Sequence, residues 1–143
     1  MFSKDSTILY LYLKKKKRNS FDGLINFNTE NKKIKFRGHF DLKMTNAFNN
    51  GETINIKWNN NGDERQEFTI LSLNPYIFNS KITSKIKFNI YKNDSTFSNS
   101  TFNTSLNYSL NSKINLAVLY ENENSNTNQQ TSNLDDYKKN SLG

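Results

Sequence analysis

Residues 65–91 read RQEFTILSLNPYIFNSKITSKIKFNIY, and their alternation decides the fold. In the second half Ile82, Ser84, Ile86, Phe88 and Ile90 alternate with Thr83, Lys85, Lys87, Asn89 and Tyr91. Successive strand side chains point to opposite faces, so this period puts an apolar set on one face and a cationic set on the other. In the first half Phe68 and Ile70 share one face while Leu71 and Leu73 share the other, which predicts an end covered on both sides. Between the halves lies Asn74-Pro75-Tyr76, with the chain's single proline. Proline cannot donate to a ladder, so this is a turn.

The same pattern extends in both directions. Downstream, Phe102, Leu106, Tyr108 and Leu110 oppose Asn103, Ser105, Asn107 and Ser109. After a tight turn at Asn111-Ser112, Ile114, Leu116, Val118 and Tyr120 resume the apolar set, and from Glu121 onward polar residues predict that the strand dissolves. Upstream, residues 52–58 carry Ile54, Ile56 and Trp58 after the turn residues Asn49-Asn50-Gly51. Residues 33–44 are the longest alternation, with Ile34, Phe36, Phe40, Leu42 and Met44 facing Lys33, Lys35, Arg37, His39, Asp41 and Lys43 across the strand. Residues 21–28 (FDGLINFN) place Phe21, Ile25 and Phe27 on one face, interrupted by Gly23. Residues 7–16 (TILYLYLKKK) are apolar on both faces, which predicts a strand buried in a small soluble layer. The basic run at residues 14–18 is either a solvated strand end or a contact to anionic lipid or nucleic acid.

Composition agrees with an all-β, antiparallel meander. The chain has 143 residues, net charge +7, 34% hydrophobic residues, 5 Gly, 1 Pro and no Cys. That apolar share is below what a sheet buried on both faces needs. A transmembrane β-strand needs only about 9–11 residues with every second one apolar, so low hydrophobicity is compatible with a membrane barrel. Residues 8–13 are too short for the apolar region of a signal peptide, so an exported form would begin upstream. The polar segments 29–32, 59–64 and 92–100 and the tract after Tyr120 predict long loops at one rim, opposite short turns after Met44, Leu73 and Leu110.

The succession LYLKKKKRNSFDGLINF, GHFDLKMTNAFNNGETINIKW, FTILSLNPYIF and KIKFNIYKNDSTF resembles the barrel start of BamA-type outer-membrane protein assembly factors, the bacterial surface antigen superfamily, in a Bacteroidetes-like form. Two departures stand out: Ile77 separates Tyr76 from Phe78, and the family's later barrel signatures lie outside the sequence. The resemblance implies that residues 1–19 end a POTRA-like domain and that residues 20–143 are the N-terminal portion of a larger barrel, a fragment of about seven strands plus the start of an eighth at Asp135-Asp136-Tyr137. It implies a lateral-edge strand at Phe21, Asp22, Gly23, Leu24, Ile25, Asn26 and Phe27, and a periplasmic turn at Asn74, Pro75, Tyr76 and Phe78. Localisation would be the outer membrane of a Gram-negative bacterium, with outer-membrane lipid, nascent outer-membrane proteins and accessory lipoproteins as partners.

In a barrel, Lys35, Arg37, Lys43, Lys57, Lys85 and Lys87 would line a hydrated lumen and Phe36, Phe40, Ile54, Ile56, Trp58, Ile86 and Phe88 would face lipid. A weakly paired first strand could template incoming strands with no covalent chemistry, so neither an enzyme nor a cofactor is expected. The single histidine, His39, lies in the polar register as an ordinary lumen or surface residue, with no nucleophilic triad, phosphate loop or paired-carboxylate motif. Two other functions fit: a passive pore or structural barrel with a cationic lumen, and a soluble basic β-barrel binding nucleic acid. Base stacking requires aromatics among the basic residues, and here Tyr91 alone breaks their segregation to the apolar face, so no nucleic-acid partner is expected.

Overall fold

The computed structural model describes residues 2–3, 6–7, 9–14, 18–30, 32–62, 65–93, 97–111, 113–127 and 137–143. A minimal hairpin pairs β1 (Phe2–Ser3) with β2 (Ser6–Thr7). Eight further strands form one antiparallel sheet: β3 (Ser20–Glu30), β4 (Lys33–Thr45), β5 (Thr53–Asn60), β6 (Arg65–Asn74), β7 (Ile82–Asn93), β8 (Phe97–Ser109), β9 (Asn115–Thr127) and β10 (Tyr137–Leu142). Their spatial order is their sequence order, so the sheet is a meander. It is not closed: β3 and β10 lie at opposite edges.

Paired residues share a face, so the register sorts the whole sheet. One face carries Phe21, Phe36, Phe40, Ile56, Trp58, Ile70, Phe88, Phe102 and Val118; the other carries Lys35, Arg37, Lys43, Lys57, Lys85 and Lys87. Among the described residues no second layer covers the apolar face and no hydrophobic side chain is buried. Roughly twenty apolar side chains stand there, each worth about 1.5–3 kcal/mol on full burial. Covering this face is therefore a large stabilising term for the folded chain.

Three expectations are corrected. The polar segments are mostly strand: β3 and β4 are separated by two residues, β5 and β6 by four, β7 and β8 by three, while the turns at the other rim span seven, seven and five. The expected sorting of long and short loops is thus reversed, except for the nine residues between β9 and β10. Asn, Ser and Thr form ladders as well as other residues do, because the ladder is made by backbone groups and polarity decides only what a face can meet. For the same reason β9 continues past Glu121 to Thr127, and the edge strand β3 runs to 11 residues rather than ending at Asn28. Finally, residues 9–14 form no strand and residues 9–13 are exposed; a strand without a partner to complete its hydrogen bonds is not held by propensity alone. Ile8, Lys15, Lys16, Asp135 and Asp136 lie outside the described residues.

Candidate membrane interface

Following single rows of paired residues across the sheet exposes a slanted apolar belt. The row Gly23, Phe40, Trp58, Phe68, Ile90, Ser100, Asn124, Lys138 is apolar to Ile90 and polar from Ser100 on. Two residues toward the rim of the longer turns, the row Phe21, Leu42, Ile56, Ile70, Phe88, Phe102, Asn122, Asn140 stays apolar to Phe102. One step further, Tyr120 and Leu142 rejoin the apolar set. The belt thus drifts by about one residue per strand; at about 3.3 Å per residue and 4.8 Å between strands this is a slant of roughly 35°. Strands in closed barrels tilt by about 35–45° to the barrel axis, so a level belt would cross their ladders at such an angle.

The charged residues on this face, Lys92 and Lys138, lie beyond the belt with Asn60, Gln66, Ser98, Ser100, Asn122 and Asn124. Phe36, Phe40, Ile54, Ile56, Trp58, Ile86 and Phe88 all stand within it, and Phe40 and Trp58 stack with ring centroids 6.1 Å apart. Gly38 marks where β4 loses its β5 partner: its last pair is with Asn60, its φ is +148°, and a Cβ there would fall 2.0 Å from the Leu24 carbonyl oxygen. Beyond it the β3–β4 hairpin projects alone, with Phe27 and Ile34 exposed.

Lys35, Arg37, Lys43, Lys57, Lys85 and Lys87 share the opposite face. Lys57 pairs with Asp41 at 3.0 Å, and His39 lies 3.6 Å from Asp22. Amides and acids continue the polar lattice: Asn89 donates to Thr69 at 2.8 Å, Asn99 to Glu123 at 2.9 Å, and the Tyr137 hydroxyl to Glu123 at 2.7 Å. Among the described residues no group of three or more acidic or histidine side chains could hold a metal ion. Phe97, read as loop from the sequence, joins Tyr91 on this face with ring centroids 6.4 Å apart. Leu71 and Leu73 also stand here, opposite Lys87 and Lys85.

At the rim of the longer turns, Glu52 is 3% exposed and acts as an internal clamp. Its carboxylate accepts from the Phe48 N–H at 2.5 Å and the Asn50 N–H at 3.0 Å, while the Asn46 side chain accepts from the Gly51 N–H at 2.7 Å. The Phe48 bond, ahead of the other backbone donors, holds the Glu52 carboxyl below its ordinary value of 4.5 despite the opposing effect of burial. The next turn carries Pro75 and a short 3₁₀ segment at Ile77–Asn79, with Tyr76, Phe78 and Asn79 at φ of 58°, 55° and 53°. Sequence alternation is blind to both features, because a turn's backbone has no period.

Among the described residues no helix is long and apolar enough to cross a membrane, a test that does not apply to strands. No protein-family model, curated protein or solved structure matches the chain.

Proposed function

We propose that the sheet is part of the wall of an outer-membrane β-barrel, apolar belt to lipid and polar face to a hydrated lumen. In this role it would act as an assembly and insertion component for other barrel proteins. The observation that carries the wall is the uncovered, slanted belt with no charge inside it. A soluble protein would have to cover that face, whereas lipid does so at no packing cost and would penalise a charge at mid-depth by about 2–4 kcal/mol.

The assembly role draws on the sequence resemblance and on the edge. Every second residue of β3 presents an outward N–H and C=O, and the strand's side chains Phe21, Ile25 and Phe27 lie in the belt. Hydrocarbon offers those groups no partner, at a cost of several kcal/mol per group, so the edge favours another strand. A nascent barrel strand fits by β-augmentation, and accessory lipoproteins would act at the rims. With 11 residues β3 is a full-length edge strand, and its opening would come from the close approach at Gly38 and the unaccompanied hairpin tip.

The test is disulfide capture in the complete protein in its own membrane, with cysteines at Asp22, Leu24 and Asn26. Crosslinks to folding clients are expected; their absence in a protein that still supports assembly would remove the role. The net basic polar face favours a second function, an anion-selective pore. A large, steady anion current with no loss of other barrels on depletion would establish that instead.

A further inference from the structure

The two rims of the sheet differ in charge as well as in turn length. The three connections at one rim (residues 46–52, 75–81 and 110–114) contain Lys81 and Lys113 and a single acid, Glu52, which is consumed within its own turn. Arg18 belongs to this rim too: its Nη1 donates to the Asn46 carbonyl at 3.4 Å, and the neighbouring Asn19 side chain accepts from the Thr45 N–H at 3.2 Å. In the sequence, the segments that link strands at the other end carry Asp63, Glu64, Asp94, Asp135 and Asp136 against Lys32.

The basic rim also displays aromatics at a cost. Phe48, Tyr76 and Phe78 are 68%, 68% and 96% exposed. Left-handed backbone in bulky residues such as Tyr76 and Phe78 costs about 1–3 kcal/mol each and persists where surroundings or function require it. Among the described residues neither side chain gains burial in return. The turns that carry them are held rather than loose: Glu52 clamps the first, and in the second the Ser80 hydroxyl donates to the Ile77 carbonyl at 2.7 Å and accepts from the Ile82 N–H at 3.1 Å. They also lie side by side, since a Cβ on Gly51 would come 3.2 Å from Pro75 Cγ.

Building on the membrane-wall function, we propose that this rim is an anchor seated in an anionic phospholipid headgroup layer. Phe48, Tyr76 and Phe78 lie in the interfacial zone, where rings are favoured, and Lys81, Lys113 and Arg18 contact phosphates. The rim abuts the belt through Ile82, Tyr108 and Leu116, so aromatics at the turns fall at hydrocarbon's edge. The acidic rim, beyond the polar ends of β7, β8 and β9, faces water on the other side.

The full chain in vesicles tests this with two reporters. Trp58, the single tryptophan, reports on the wall: bromines at mid-acyl chain should quench it. In Trp58→Phe chains, Phe78→Trp and, separately, Tyr76→Trp report on the rim, and nitroxides at headgroup level should quench them more than mid-chain bromines do. Exchanging phosphatidylcholine for phosphatidylglycerol vesicles should tighten partition, and Lys81→Gln and Lys113→Gln should each reverse the gain by about fivefold. If both rim tryptophans emit as in water while Trp58 of the parent is quenched, the anchor is overturned and the wall stands. Equal partition into the two kinds of vesicle overturns the anionic partner. An unquenched Trp58 overturns the wall itself.

Discussion

The two flanks of the sheet carry one apolar belt at different heights. On the β3–β4 flank it reaches the hairpin tip at Ile34, whereas on the β9–β10 flank it stops at Tyr120 and Leu142 and leaves a ladder that is polar on both faces. A free backbone edge therefore means different things on the two sides. Along β3 the unpaired groups lie in the belt, where the proposed hydrocarbon surroundings would offer them no partner. Along β10 most of a six-residue edge lies above the belt, where water can. The contrast teaches that, in the proposed wall, it is the β3 edge and not the β10 edge that would be under pressure to recruit a strand.

The largest break in that contrast should come from Gly38→Val. A β-branched residue at φ +148°, with the Leu24 carbonyl 2.0 Å from its Cβ, forces β3 off β4 at a cost of about 3 kcal/mol or more. Hydrogen exchange should accelerate across β3 while β8 and β9 amides keep their protection; equal acceleration on both flanks would show that the close approach at Gly38 does not isolate the first hairpin. Gly23→Ala, 3.0 Å from Phe40 Cβ, should perturb the same amides far less.

The belt's slant can be sharpened with charge. Phe88→Lys should cost about 2–4 kcal/mol in vesicle unfolding, and Ser100→Lys, on the same face but above the belt, about 0–1 kcal/mol. Equal costs would mean that belt and ladder rows are level.

The clamp at the rim responds to acid. Because the folded Glu52 carboxyl titrates below its ordinary 4.5, its contribution is present above that value and fades as pH falls through the folded value. Proteolysis within residues 46–52 should therefore rise on acidification below pH 4.5, and Glu52→Gln should remove that pH dependence. The smallest effect is expected from Asp41→Asn. Its 3.0 Å pair with Lys57 is partly exposed, so the loss should stay under about 1 kcal/mol and vanish in high salt.

Much of the fold is legible in residues 21–120. The alternations at 33–44 and 82–91 specify strands, and Asn74-Pro75 specifies the turn between β6 and β7. Less is legible where polarity predicts loop: Asn59, Lys92 and Asn122 pair as regular strand. The segment at 9–14 misled in the opposite sense, its β-rich composition lacking any partner.

What the sequence by itself determined is which side chains share a face. That parity is built into the extended chain, where neighbouring residues point in opposite directions however strands are paired. Register, the slant of the belt, the unequal edges and the basic rim were decided only in the tertiary structure. Each depends on which residues of different strands meet, and on turn backbones such as Tyr76 and Phe78 that no alternation encodes.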